Sequence, residues 1–183
     1  METLKKEGVK FGLISAVVYA ILLFILYFLG IDSFTSSTLR AIPWFLMLVF
    51  AFIAGVSQLK AHDGILYFPQ AIVTILLVFA ISEIGAVAAE YSLYNLVDTE
   101  LPGKMKEVNL EKTKASFKQF ENIIDYAEGD EAQILTEVEE ADYNFYAKDA
   151  VLKFIAWLFI DFLFALLLAA IVRKEPKKVE EPN

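Results

Sequence analysis

Two carboxylates stand alone in apolar surroundings. Glu83 is the only charge in residues 71–89, and Asp161 is the only charge in residues 154–172. An ionised acid at the centre of a membrane costs ~2.5–3.5 kcal/mol or more if it faces lipid. Two uses offset that cost. One is a proton or cation relay. The other is a protonated acid that hydrogen-bonds across helices as polar glue. Lys153 is about two helical turns from Asp161, too far to neutralise it directly. The pair is therefore expected to be protonated, or to share a proton, with Ser82, Ser15, Thr74 and Tyr19 as neutral partners. Glu90 lies seven residues after Glu83 on a similar helical face. It either extends a polar track or snorkels to the surface. Glu83, Asp161, Glu90 and Ser82 form the candidate intramembrane polar site.

Other chemistries leave no pattern. There is no Cys, so no thiol nucleophile, disulfide or Cys-ligated metal. The single His62 sits in His62-Asp63-Gly64 and reads as a surface loop residue. Glu137, Glu139, Glu140 and Asp142 lack calcium-loop spacing and read as a solvated acidic face. No nucleophile elbow, phosphate loop, dinucleotide fingerprint or paired-His motif occurs. The expectation is a non-enzymatic chain with no cofactor and no metal.

Positioning two buried acids requires elements that cross a membrane. Of 183 residues, 57% are hydrophobic, against ~45–50% in a soluble domain. They are clumped into blocks, with spans expected at about 11–29, 41–59, 70–94 and 150–172. About 20 apolar residues in a helix cross a ~30 Å hydrocarbon layer. None of the blocks alternates as a barrel strand would. The first is longer than a signal-peptide core and lacks a small-x-small cleavage site, so it reads as a mature span. The fold class is all-α integral membrane: four transmembrane helices in one bundle, with an extramembrane helical hairpin between the third and fourth.

Charge sets the expected orientation. Lys5, Lys6 and Lys10, then Lys60, then Arg173, Lys174, Lys177 and Lys178 fall on one side of a four-span chain. Short Lys/Arg flanks favour the cytoplasm. Both termini are therefore expected in the cytoplasm, with 95–149 on the outer side. That insert holds 14 Asp/Glu and 6 Lys, a net of −8, which is the net charge of the whole chain. No basic patch lies away from the membrane flanks, so nucleic acid is not an expected partner.

Within the insert, Pro102-Gly103 predicts a turn and Asn109 a helix N-cap. Leu110, Phe117, Phe120, Ile124 and Ala127 then share a face up to a stop at Gly129. Asp130 is read as capping a second helix, with Ile134, Val138, Ala141 and Phe145 on one side. No breaker follows, so one long helix from about 131 to 172 is expected. The apolar stripes read as packing inside the chain, or else as a docking face for a membrane-protein partner. Small residues recur at four-residue spacing: Gly8, Gly12, Ala16 and Ala20, then Ala51 and Gly55, then Ser82 and Ala86, and Gly85 and Ala89. Such spacing lets helices approach closely, within the chain first and in a homo-oligomer second.

Several short segments carry a family likeness. They are Lys10-Phe11-Gly12-Leu13-Ile14, the loop His62-Asp63-Gly64-Ile65-Leu66-Tyr67 running into Phe68-Pro69-Gln70-Ala71, and Ala169-Ala170-Ile171-Val172-Arg173-Lys174. With the long acidic insert, this layout resembles domain-of-unknown-function family 4199, small four-helix bacterial inner-membrane proteins. Pro69 stands where that family usually has Gly. The resemblance implies a fold and a membrane, and it implies no activity, substrate or catalytic residue.

Overall fold

The computed structural model describes residues 2–120 and 130–175. Four long helices account for most of it: α1 (Glu2–Phe28), α3 (Ser37–Ala61), α4 (Phe68–Ser92) and α7 (Ala147–Val172). A one-turn helix, α2 (Ile31–Phe34), links α1 to α3. A π-helical turn, Leu93–Val97, extends α4. Two further helices, α5 (Leu101–Phe120) and α6 (Asp130–Glu140), form the insert and touch each other. The described residues contain no strand, only a bridge in which Leu66 and Lys174 exchange two backbone hydrogen bonds of 2.9 Å.

All four long helices are long and apolar enough to cross a membrane. Their outward faces carry Leu13, Val17, Ile21, Phe45, Val73, Ile155, Phe159 and Leu167, all exposed, while Ser15, Gln58, Thr74, Ser82, Glu83, Glu90 and Asp161 are buried. Apolar outside and polar inside is the distribution that hydrocarbon favours and water does not.

Helix α4 packs against α1, α3 and α7, so it is the axis of the assembly. The glycines explain the close approach of α1. A Cβ on Gly12 would come within 2.9 Å of the Ile81 Cβ, and one on Gly85 within 2.5 Å of the Ala16 Cβ. The stripe of small residues on α1 is thus used within the chain. Gly85→Ala is expected to lower stability by roughly 1–3 kcal/mol, because two packed backbones must separate. Gly103→Ala is the control. Nothing lies within 4 Å of its Cβ, so thermal melting in detergent should show no loss.

Three details of the insert depart from sequence expectation. Helix α5 begins at Leu101, so Pro102-Gly103 lies in its first turn instead of before it, and Asn109 lies mid-helix instead of at an N-cap. Proline is tolerated in that first turn because the first amides of a helix have no intrahelical acceptor. The long helix expected from 131 to 172 is broken between α6 and α7. The side chain of Asp142 accepts from the Asn144 backbone N–H at 3.0 Å and its amide at 2.7 Å, an Asx turn that competes with helix. Asp149 then accepts from the Tyr146 N–H at 3.0 Å and starts α7 afresh. The expected stop at Gly129, with Ile124 and Ala127, lies outside the described residues, as do Lys177 and Lys178.

A polar clamp ties the insert to α1. Asp98 accepts from Lys104 Nζ at 2.7 Å, from Tyr27 Oη at 2.9 Å and from the Glu100 N–H at 3.1 Å. The Lys104 bond chiefly holds the Asp98 carboxyl below its usual range, helped by Tyr27 and Glu100, and the same bond raises Lys104. A depressed acid stabilises the folded state above its unfolded value, about 3.9, and loses that contribution as pH falls through its folded value. A raised lysine contributes below about 10.4 and loses that contribution as pH rises through its folded value. The clamp is thus complete between these limits. Amide exchange over residues 98–104, corrected for intrinsic rates, should accelerate below about pH 4, and Asp98→Asn should abolish that dependence.

Candidate functional site

Helical spacing brings one polar face from each long helix to a common point. On α7, Lys153, Trp157 and Asp161 recur every four residues and so stack on one side. On α3, Ser37, Arg40, Ala41 and Trp44 do the same. On α4, Glu83 and Glu90 are separated by two turns, and α1 supplies Tyr19. Tyr19, Ser37, Arg40, Ala41, Trp44, Glu83, Lys153 and Trp157 together line a cavity of about 400 Å³. It lies in the half of the assembly nearer the insert.

Glu90 anchors the rim. It is 2% exposed, so it does not snorkel. Arg40 Nη2 donates to its Oε1 at 2.6 Å, Tyr19 Oη to the same oxygen at 3.2 Å, and Lys153 Nζ to its Oε2. Two cations from different helices therefore converge on one buried carboxylate, and the charge-assisted bonds offset its burial. The Arg40 guanidinium also sits 5.3 Å from the centroid of the Phe34 ring.

Glu83 and Asp161 lie deeper. Glu83 is 4% exposed and Asp161 fully buried. Neither joins an ion pair among the described residues. Among the described residues neither Asp161 oxygen makes a hydrogen bond of full geometry, and the equally unpaired Nε1–H of Trp44 is the donor that faces it. The two carboxyls are electrostatic neighbours, but no hydrogen bond joins them. The neutral partners expected from sequence are engaged elsewhere. Ser82 donates to the Gly12 carbonyl at 3.4 Å, Thr74 to the Gln70 carbonyl at 3.1 Å and Tyr19 to Glu90, while Ser15 Oγ has no partner. Hydroxyls on helices bond most easily to backbone one turn back, or to backbone bared by a facing glycine. Ser82 is therefore part of the α1–α4 seam and does not line the cavity.

Below the carboxylates the interior closes. Met47, Ala51, Ala54, Ile75, Val78, Phe79, Ala165 and Ala169 form a contiguous apolar core. Beyond it, Gln58 is buried with neither amide atom bonded. Among the described residues this core separates the cavity from Gln58. No group of acids and His within metal-binding reach occurs among the described residues.

Trp44, Trp157 and Arg40 carried no expectation from sequence, and Lys153 only that of lying too far from Asp161 to neutralise it. One signal was present: Lys153-x₃-Trp157-x₃-Asp161 lays a cation, an indole and an acid along one helical face.

No curated protein and no solved structure matches the chain. A family model does, over residues 10–174, and it takes in all four long helices and the insert between them. The chain thus belongs to the family described as protein of unknown function DUF4199.

Proposed function

We propose that this chain is a non-enzymatic accessory or interaction subunit of a bacterial inner membrane. In this reading the four long helices form a transmembrane bundle with both termini cytoplasmic and 95–149 outside. The apolar core beneath the cavity carries the proposal. A conduit needs a route between the two faces, whereas a subunit that docks or binds needs none. The acidic insert offers a docking face outside the lipid. The test is gentle extraction from native membranes, followed by native mass measurement. A stoichiometric second protein is expected, and a lone chain or a homo-oligomer would overturn the accessory role. Orientation is tested separately. The chain has no Cys, so Glu107→Cys gives a single thiol, expected to label from outside intact cells.

A second reading, a proton- or cation-linked transporter or channel, is favoured by one observation. Glu83 lines an open cavity and Asp161 lies beneath it, both buried, and among the described residues neither makes the full-geometry hydrogen bonds of a structural acid. Glu83→Gln and Asp161→Asn would then abolish flux in proteoliposomes while the protein stays folded. Wild-type flux in both variants would end that reading.

A further inference from the structure

We propose that the cavity binds a small zwitterion, its primary ammonium on Glu83 and its oxyanion on Arg40 and Lys153. This goes beyond the accessory role and stands whether or not a second protein docks on the insert.

The charge pattern is the first argument. Arg40 and Lys153 share one carboxylate, Glu90, so the rim carries one positive charge in excess. Glu83, 4% exposed and without a hydrogen bond among the described residues, lines the same cavity deeper in. The cavity is therefore polarised, with a cationic rim and a carboxylate floor. A simple anion satisfies only the rim, and a simple cation only the floor.

The walls are the second argument. Trp44, Trp157 and Tyr19 surround the space above Glu83, and aromatic faces attract an ammonium group. Trp44 and Trp157 have ring centroids 6.2 Å apart. The volume, about 400 Å³, admits a small zwitterion with water.

This chemistry has two sources: the headgroup of an ethanolamine phospholipid, or a free solute such as phosphoethanolamine. The protein contains its own probe, because its only two tryptophans both line the cavity. Tryptophan emission of the full chain is followed in detergent against phosphoethanolamine, ethanolamine and inorganic phosphate. It is also compared in nanodiscs of phosphatidylglycerol with and without phosphatidylethanolamine. A saturable change with phosphoethanolamine, at concentrations at least tenfold below either fragment, assigns a soluble ligand. A change seen only on adding phosphatidylethanolamine assigns the lipid. In either case Glu83→Gln should weaken the response at least tenfold with unchanged helical circular dichroism. Equal responses to the fragments and the zwitterion, or no response in either arm, overturns the proposal. If Glu83→Gln does not fold, the fragment comparison on the native chain decides alone.

Discussion

Glu90→Gln is expected to destabilise the protein by roughly 3 kcal/mol, because it strands two cations at once. Removing one partner of a buried pair typically costs ~3–5 kcal/mol, since the remaining charge keeps its desolvation penalty and loses its attraction. The lower end applies here. The side chains of Arg40 and Lys153 keep 29% and 26% of their exposure, so each recovers some hydration once Glu90 is neutral. Lys153→Met should cost less than half as much, because Glu90 retains Arg40 and Tyr19. Chemical or thermal unfolding in one detergent gives both values. The triple variant Arg40→Met, Glu90→Met, Lys153→Met should recover most of the loss, since replacing a whole buried ionic group by apolar side chains is often neutral. A Lys153→Met loss equal to that of Glu90→Gln would show that Arg40 contributes nothing to the carboxylate.

That triad also marks where sequence reasoning stops. The four apolar helices were legible because the length of an uncharged run reports directly a helix long enough to cross a membrane. The buried acids were legible because each stood alone in such a run. The partners of Glu90 come from 50 and 63 residues away, on helices whose rotation about their axes no single-sequence pattern fixes. Snorkelling was a fair alternative for Glu90, since its depth on α4 permits it, and only the facing cations of α3 and α7 exclude it. The break before α7 was missed for a different reason. Asp142 and Asn144 looked like part of a solvated helical face, yet their short polar side chains bond local backbone more readily than they extend a helix.

The rim of the cavity and the carboxyl beneath it differ in kind, and the difference bears on whether the site is structural. Every oxygen of Glu90 is bonded, so the rim stabilises the fold that builds it. Asp161, which lies beneath the cavity and does not line it, does the opposite. It is fully buried and within reach of the Glu83 field, and among the described residues it faces the Trp44 indole N–H without a hydrogen bond of full geometry. A fold selected for stability alone has no use for such a group, because an apolar side chain of the same volume would pack there without a desolvation penalty.

Asp161→Leu is therefore expected to raise stability by about 1–3 kcal/mol, the usual cost of a buried polar group left unbonded. The melting temperature in detergent should rise, where most core substitutions lower it. The variant should also lose whatever the cavity does with a proton or an ammonium group, a trade between stability and activity common at functional sites. Asp161→Asn separates the two effects. It keeps the shape and the unmet hydrogen-bonding capacity, so it should leave the melting temperature near that of the native chain. A fall of more than 1 kcal/mol in Asp161→Leu would mean that the carboxyl is held by a bond that stabilises it, the Trp44 indole N–H being the donor at hand. Asp161 would then belong, with Glu90, to the structure that holds the helices together.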